Sequence, residues 1–177
     1  MTYTEIVILT VLMGRDMHGY DIKKIAENLF GESRTINNNT LYTCLHKYEE
    51  MGAVIRKVEH VDGKPDRHVY SITDKGREVF REMLLDFTPD MASSRYEFYS
   101  RVAFFHLLEP QECLNILSLR KADLTGYIDR LRKLYGDHAG EKNHYYDGEV
   151  VRFITKQERH EIEWIEALEA KLAKKEE

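Results

Sequence analysis

Three successive asparagines, Asn37, Asn38 and Asn39, run into Thr40, Tyr42, Thr43, His46 and Lys47. Leu41, Cys44, Leu45 and Tyr48 interleave with them at i, i+3, i+4 and i+7, so polar and apolar sets fall on opposite sides of a helix ending at Gly52. One asparagine is enough to cap that helix, because its side-chain oxygen accepts from a first-turn N–H. The spare amides and their neighbours then make a short hydrogen-bonding face, with little negative charge before Glu49 and Glu50. Such a face suits the edges of DNA bases. An Asn amide pairs bidentately with N6 and N7 of adenine, a Thr methyl meets that of thymine, and His or Lys reaches guanine or a phosphate. The helix start adds unpaired N–H groups and a positive dipole end for a phosphate. Asn38, Asn39, Thr40, Tyr42, Thr43, His46 and Lys47 are therefore candidate DNA contacts; taken alone, the run fits an indecisive cap equally well.

A reading helix needs a frame. Upstream, Ile6, Leu9 and Met13, widened by Ile8 and Leu12, form one helical stripe over about Thr4 to Met13. After the break "GRDMHG", Ile22, Ile25, Ala26 and Leu29 form another over about Tyr20 to Phe30, with Gly31 as its C-cap. Downstream, "AVIRKVEHV" (Ala53 to Val61) and "RHVYSI" (Arg67 to Ile72) are β-branched and flank the turn chemistry of "DGKPD", which predicts a β-hairpin. Lys64 and Arg67 at its tip are the candidate phosphate contacts, a solvated turn being the plain alternative. Thr73 then caps a helix that buries Val79, Phe80, Met83, Leu84 and Phe87. Helix, helix, helix, strand, strand, helix is the order of a winged helix-turn-helix, whose third helix enters the major groove.

Composition sets limits on this reading. The chain has 177 residues, 42% hydrophobic and 32% charged, enough for one core or two small ones and too ordinary for disorder. Its net charge of −5 counts against a nucleic-acid binder, so the case rests on local placement of charge. The longest apolar run, Ile6 to Met13, is too short to span a bilayer and lacks the marks of a signal peptide, which predicts a cytoplasmic protein. The two cysteines, Cys44 and Cys113, are far apart on helical patterns and fit reduced core thiols.

The polar, proline-containing stretch Thr88 to Ser94 is the expected joint, dividing the chain into 1–88 and 89–177. The second part reads as helical: about Ser94 to Leu108, a long helix entered at Pro110, and a last one from about Asp147 to Lys174. In the long helix Leu114, Leu117, Lys121, Leu124, Ile128, Leu131 and Tyr135 alternate three and four residues apart, the seam of a coiled coil. That seam needs a partner, either the last helix, where Ile154, Glu161, Ile165, Leu168 and Leu172 form a looser stripe, or a second chain. Helical stripes this long cannot readily cover one another, so the expectation is a homodimer. The fold class predicted is thus mostly α with a small β-hairpin: a winged helix-turn-helix followed by a helical, coiled-coil-like dimerisation domain.

The stations His18-Gly19-Tyr20, Thr40-Leu41-Tyr42, Glu49 to Gly52 and Tyr70 to Arg77 together resemble the PadR family of bacterial transcriptional regulators, over nearly the whole of the first domain. Asn39 and Thr43 stand where members often carry Gly and Pro. The resemblance implies a winged-helix DNA-binding domain, a helical dimerisation domain, and repression relieved by a small molecule. The expected partners are double-stranded DNA at an inverted repeat, a second copy of the chain, and a small aromatic or hydrophobic effector. Of the clustered aromatic residues, Phe105, Phe153 and Trp164 are the candidate effector contacts, ordinary core packing being the plainer reading.

Two other classes compete. Catalysis lacks any Gly-rich phosphate loop, Gly-x-Ser-x-Gly elbow or His-Glu-x-x-His, so no enzyme and no cofactor are expected. Asp137, His138, His144 and Asp147 have ligand chemistry but lie beside glycines in a polar break, which reads as a solvated linker rather than a metal site. A protein-interaction module, in which the helical tail binds another protein and the winged domain has lost DNA binding, is the second alternative, left open by the modest positive charge.

Overall fold

The computed structural model describes residues 3–30, 36–60, 67–135 and 145–174. Two compact units emerge, one of Met1–Asp86 with Tyr99–Phe104, the other of Phe87–Phe98 with Phe105–Glu177.

The first unit is built on α1 (Tyr3–Gly14), β1 (Met17–His18), α2 (Gly19–Phe30), α3 (Asn38–Glu50), β2 (Val54–Glu59), β3 (Arg67–Ile72) and α4 (Asp74–Leu85). α1 carries more than a stripe. Ile6, Val7, Ile8 and Leu9 are buried in succession, because α2, α3, α4 and β3 all pack on it. A helix apolar on every side sits at a core centre. Glu5 is enclosed there too, at 6% exposure.

The hairpin has a third strand that the sequence pattern does not reveal. β1 pairs with β3, Met17 opposite Tyr70 and His18 opposite Val69, giving an antiparallel sheet in the order β1-β3-β2. β2 pairs along β3 from Val54 opposite Ile72 to Glu59 opposite Arg67. The expected C-cap Gly31 and the hairpin turn with Lys64 lie outside the described residues.

α3 ends in a Schellman turn: Ala53 N–H donates to Tyr48 O at 2.8 Å and Gly52 N–H to Glu49 O at 2.9 Å. Gly52 holds φ at 69°, a left-handed conformation that costs other residues strain. Thr73 joins this turn to α4, donating its hydroxyl to Gly52 O at 2.8 Å and accepting from Gly76 N–H at 3.0 Å. A Cβ at Gly76 would lie 2.0 Å from the Ala53 carbonyl oxygen, so glycine alone permits this crossing. At the far end of α4, the buried Arg101 donates to the carbonyls of Met83, Leu84 and Asp86, groups that a helix end leaves without partners.

The second unit contains α5 (Pro89–Ala92), which occupies the stretch expected as a joint, with Thr88 as N-cap. The single helix expected to Leu108 stops early. α6 (Arg95–Val102) begins in this unit and is followed by a short 3-10 turn, Phe105–Leu107. α7 (Pro110–Tyr135) and α8 (Tyr145–Ala173) pack side by side. Between them runs an ionic cluster: the buried Arg120 meets Glu161 at 2.7 Å and Ala92 O at 2.6 Å, while Arg95 reaches Glu158 at 2.9 Å and Glu161 at 3.3 Å. Among the described residues no helix is long and apolar enough to cross a membrane. Cys44 and Cys113 are both buried free thiols, and burial pushes the Cys44 thiol up.

Candidate nucleic-acid interface

The apolar side of α3, Leu41, Cys44, Leu45 and Tyr48, is buried. Asn38, Asn39, Thr40, Tyr42, Thr43, His46 and Lys47 all face outward. The three asparagines divide their labour. Asn37 is the cap, its side-chain oxygen accepting from Asn39 N–H at 2.9 Å. Asn38 accepts from the Lys23 ammonium of α2 at 2.9 Å, which fixes its amide and leaves its NH2 as a donor. The Asn39 amide carries no hydrogen bond among the described residues and is free to engage a base edge.

Charge on this face is arranged by distant neighbours. Lys47 turns inward enough to bond the Glu5 carboxylate, which raises its pKa above the ordinary lysine value. Its charge is thereby largely offset. Arg56 of β2 meets Glu49 at 3.2 Å and screens the acidic end of α3. His46 lies 3.9 Å from Glu50, one turn on.

Tyr42 and Arg67, placed on separate elements, come together at one cleft of about 420 Å³ beside α3. His18, Gly19, Tyr20, Asp21, His68 and Tyr70 complete its lining. The Tyr70 hydroxyl is pushed up, chiefly by burial, against the opposing pull of Arg56. His18 braces the wall with Nδ1 3.3 Å from His68 O and Nε2 3.3 Å from Glu59. Sequence reasoning passed over Tyr20, 71% exposed at the head of α2, and both histidines, although His18-Gly19-Tyr20 was among the stations singled out.

Other expected residues are placed differently. Leu117, Leu124, Ile128 and Leu131 of the seam are buried within the one chain, and Leu114, Lys121 and Leu168 are half-buried. Lys121 bonds Glu169 of α8 at 2.6 Å, so the last helix covers the seam and a second chain is not needed for it. Of the aromatic trio, Phe153 and Trp164 share α8 eleven residues apart, roughly 16 Å along the axis, and Phe105 is half-buried in the 3-10 turn. Trp164 instead stands edge-on to Phe98, centroids 6.1 Å apart. Asp137, His138 and His144 lie outside the described residues.

A three-helix core whose third helix projects a polar face beside a three-stranded sheet defines a winged helix-turn-helix domain of the DNA-binding class. Residues 8–82 match the family described as "Transcriptional regulator PadR-like family". The chain is similar to the negative transcriptional regulator PadR of Bacillus subtilis (strain 168), 22% identical over 184 residues, covering 98% of this chain and 100% of that protein. Among solved structures, Bacillus subtilis PadR in complex with operator DNA is 19% identical, covering 97% of this chain and 99% of that one, with a TM-score of 0.47. A transcriptional regulator from Clostridium thermocellum is 26% identical, covering 45% and 77%, with a TM-score of 0.42.

Proposed function

We propose that this chain is a PadR-type transcriptional regulator that binds double-stranded DNA as a homodimer, with α3 in the major groove and the β2–β3 wing along the backbone, and that it represses. The observation that carries the reading is the outward face of α3, where the unengaged Asn39 amide stands among Thr40, Tyr42 and Thr43. Repression is supported by the negative regulator to which the chain is similar over nearly its whole length.

A second copy is supported by α8. Val150 and Phe153, three residues apart, are 57% and 62% exposed, an apolar strip at the surface of the chain. Two-fold pairing would set recognition helices about 34–36 Å apart, or a multiple of it, and so require an inverted repeat. Relief of repression by a small aromatic or hydrophobic molecule fits the same scheme, with a coupling of about 1–3 kcal/mol between effector and operator.

Selection of fragments from random-sequence DNA by the purified protein tests the proposal. Enrichment of a palindrome is expected. Recovery without sequence preference, or no recovery at low salt, would instead leave a protein-interaction module with a degenerate wing.

A further inference from the structure

Gly19 opens α2 and is buried, yet nothing in its backbone asks for glycine. Its φ is not in the left-handed region; among the described residues only Gly52 is there. On helix propensity alone, alanine would serve better at this position. What glycine provides is space. A Cβ built on it would lie 3.0 Å from both Cε1 and the hydroxyl oxygen of Tyr42 and 3.3 Å from Cζ, and the three nearest atoms all belong to that one ring.

The contrast with Gly76 sharpens the point. There the obstructed atom is the Ala53 carbonyl oxygen at 2.0 Å, a fixed piece of backbone, so the glycine serves the fold. At Gly19 the obstructed group is the far end of a side chain that is 47% exposed and can swing away. A methyl group there would leave the fold standing and press the phenol aside by a few tenths of an ångström.

That seat matters because of what surrounds it. Tyr42 follows Asn38 and Asn39 by four and three residues and precedes His46 by four, so its ring lies on their strip of the α3 surface. Seated on Gly19, the hydroxyl stays in the cleft with Arg67 and His68 and the amides remain uncovered. Pressed aside, the ring shifts relative to the amides that share its strip of α3.

We infer that Gly19 is a positioning residue for DNA recognition: lacking a Cβ, it sets the place of the Tyr42 ring, and thereby the geometry of the reading face, from a different helix. The inference rests on the proposed role of the α3 face, and its consequence is that Gly19 acts through Tyr42 alone.

The test is a double-mutant cycle in the full chain with Gly19→Ala, Tyr42→Ala and both together. Each protein is titrated by anisotropy against the duplex most enriched by the parent from a random-sequence pool, and each is melted without DNA. Gly19→Ala is expected to weaken binding roughly tenfold, the scale of one good base contact, with a melting temperature unchanged or raised. In the Tyr42→Ala background it should add nothing. Parental affinity in Gly19→Ala, a loss that adds to that of Tyr42→Ala, or a lowered melting temperature would overturn the inference. A DNA-free arm separates it from the proposed function. The Gly19 α-proton resonances should carry the Tyr42 ring-current shift and lose it in Tyr42→Ala; no change overturns the seating itself. Parental affinity in Tyr42→Ala with that shift intact in the parent would instead remove Tyr42 from the DNA interface, and with it the role of Gly19 in recognition.

Discussion

Lys47 of α3 is bonded to the buried carboxylate of Glu5 in α1, two residues 42 positions apart in the chain. The pair fastens α3 to the core helix, and it offsets on the outward side of α3 much of the positive charge that the sequence assigns there.

Replacing Lys47 with Gln should therefore reduce stability, by about 1 kcal/mol given that the ammonium is half exposed. The folded-state pKa of Lys47 is raised, chiefly by its bond to Glu5. The contribution is thus fully present below the ordinary lysine value of about 10.4 and is lost as pH climbs through the higher folded value. Urea unfolding of mutant and parent should differ near neutrality and converge at strongly alkaline pH.

The same pairing divides the basic residues into two kinds. Arg67→Ala should weaken binding to all duplexes and flatten the salt dependence by about 0.9 of a unit, the slope of one phosphate contact. Lys47→Gln should change that slope much less. Asn39→Ala should leave the slope alone and relax preference at a base position, at a cost of about 1–3 kcal/mol. Titrations across a salt series on selected and scrambled duplexes read all three.

Gly76→Ala should destabilise the first unit by about 3 kcal/mol or more, since the new methyl meets a carbonyl oxygen that cannot move independently of the α3–β2 turn. Thermal melting against the parent measures it.

If the proposed dimer forms through α8, Phe153→Glu should leave a monomer while preserving helix content, because the ring is exposed on that helix. Light scattering with far-UV circular dichroism checks both halves. A dimer of parental strength would move the interface elsewhere.

Helix α3 was legible because its signals are local: a cap at Asn37, an apolar row with period 3.6, and Gly52 closing a Schellman turn. The wing was legible for the same reason, from β-branched runs around turn residues. β1 was not, since two residues carry no periodicity and become a strand only when β3 lies beside them. Pairings such as Lys47 with Glu5 or Arg120 with Glu161 join residues more than 40 apart, and side chains of that type usually point to water. The heptad in α7 is genuine, but periodicity says that a row of side chains will be covered, not by which chain; α8 covers it here. The spacing of Phe153 and Trp164 along α8 is set by the length of that helix, which aromatic composition does not carry.

The two-residue strand β1 has a mechanical result. It stitches the connection between α1 and α2 onto the strand that carries the wing, so a push on β3 is handed to the head of α2 instead of bending a free-standing ribbon. On the proposed role, helix and wing would meet a duplex already joined, with little ordering left for the moment of landing.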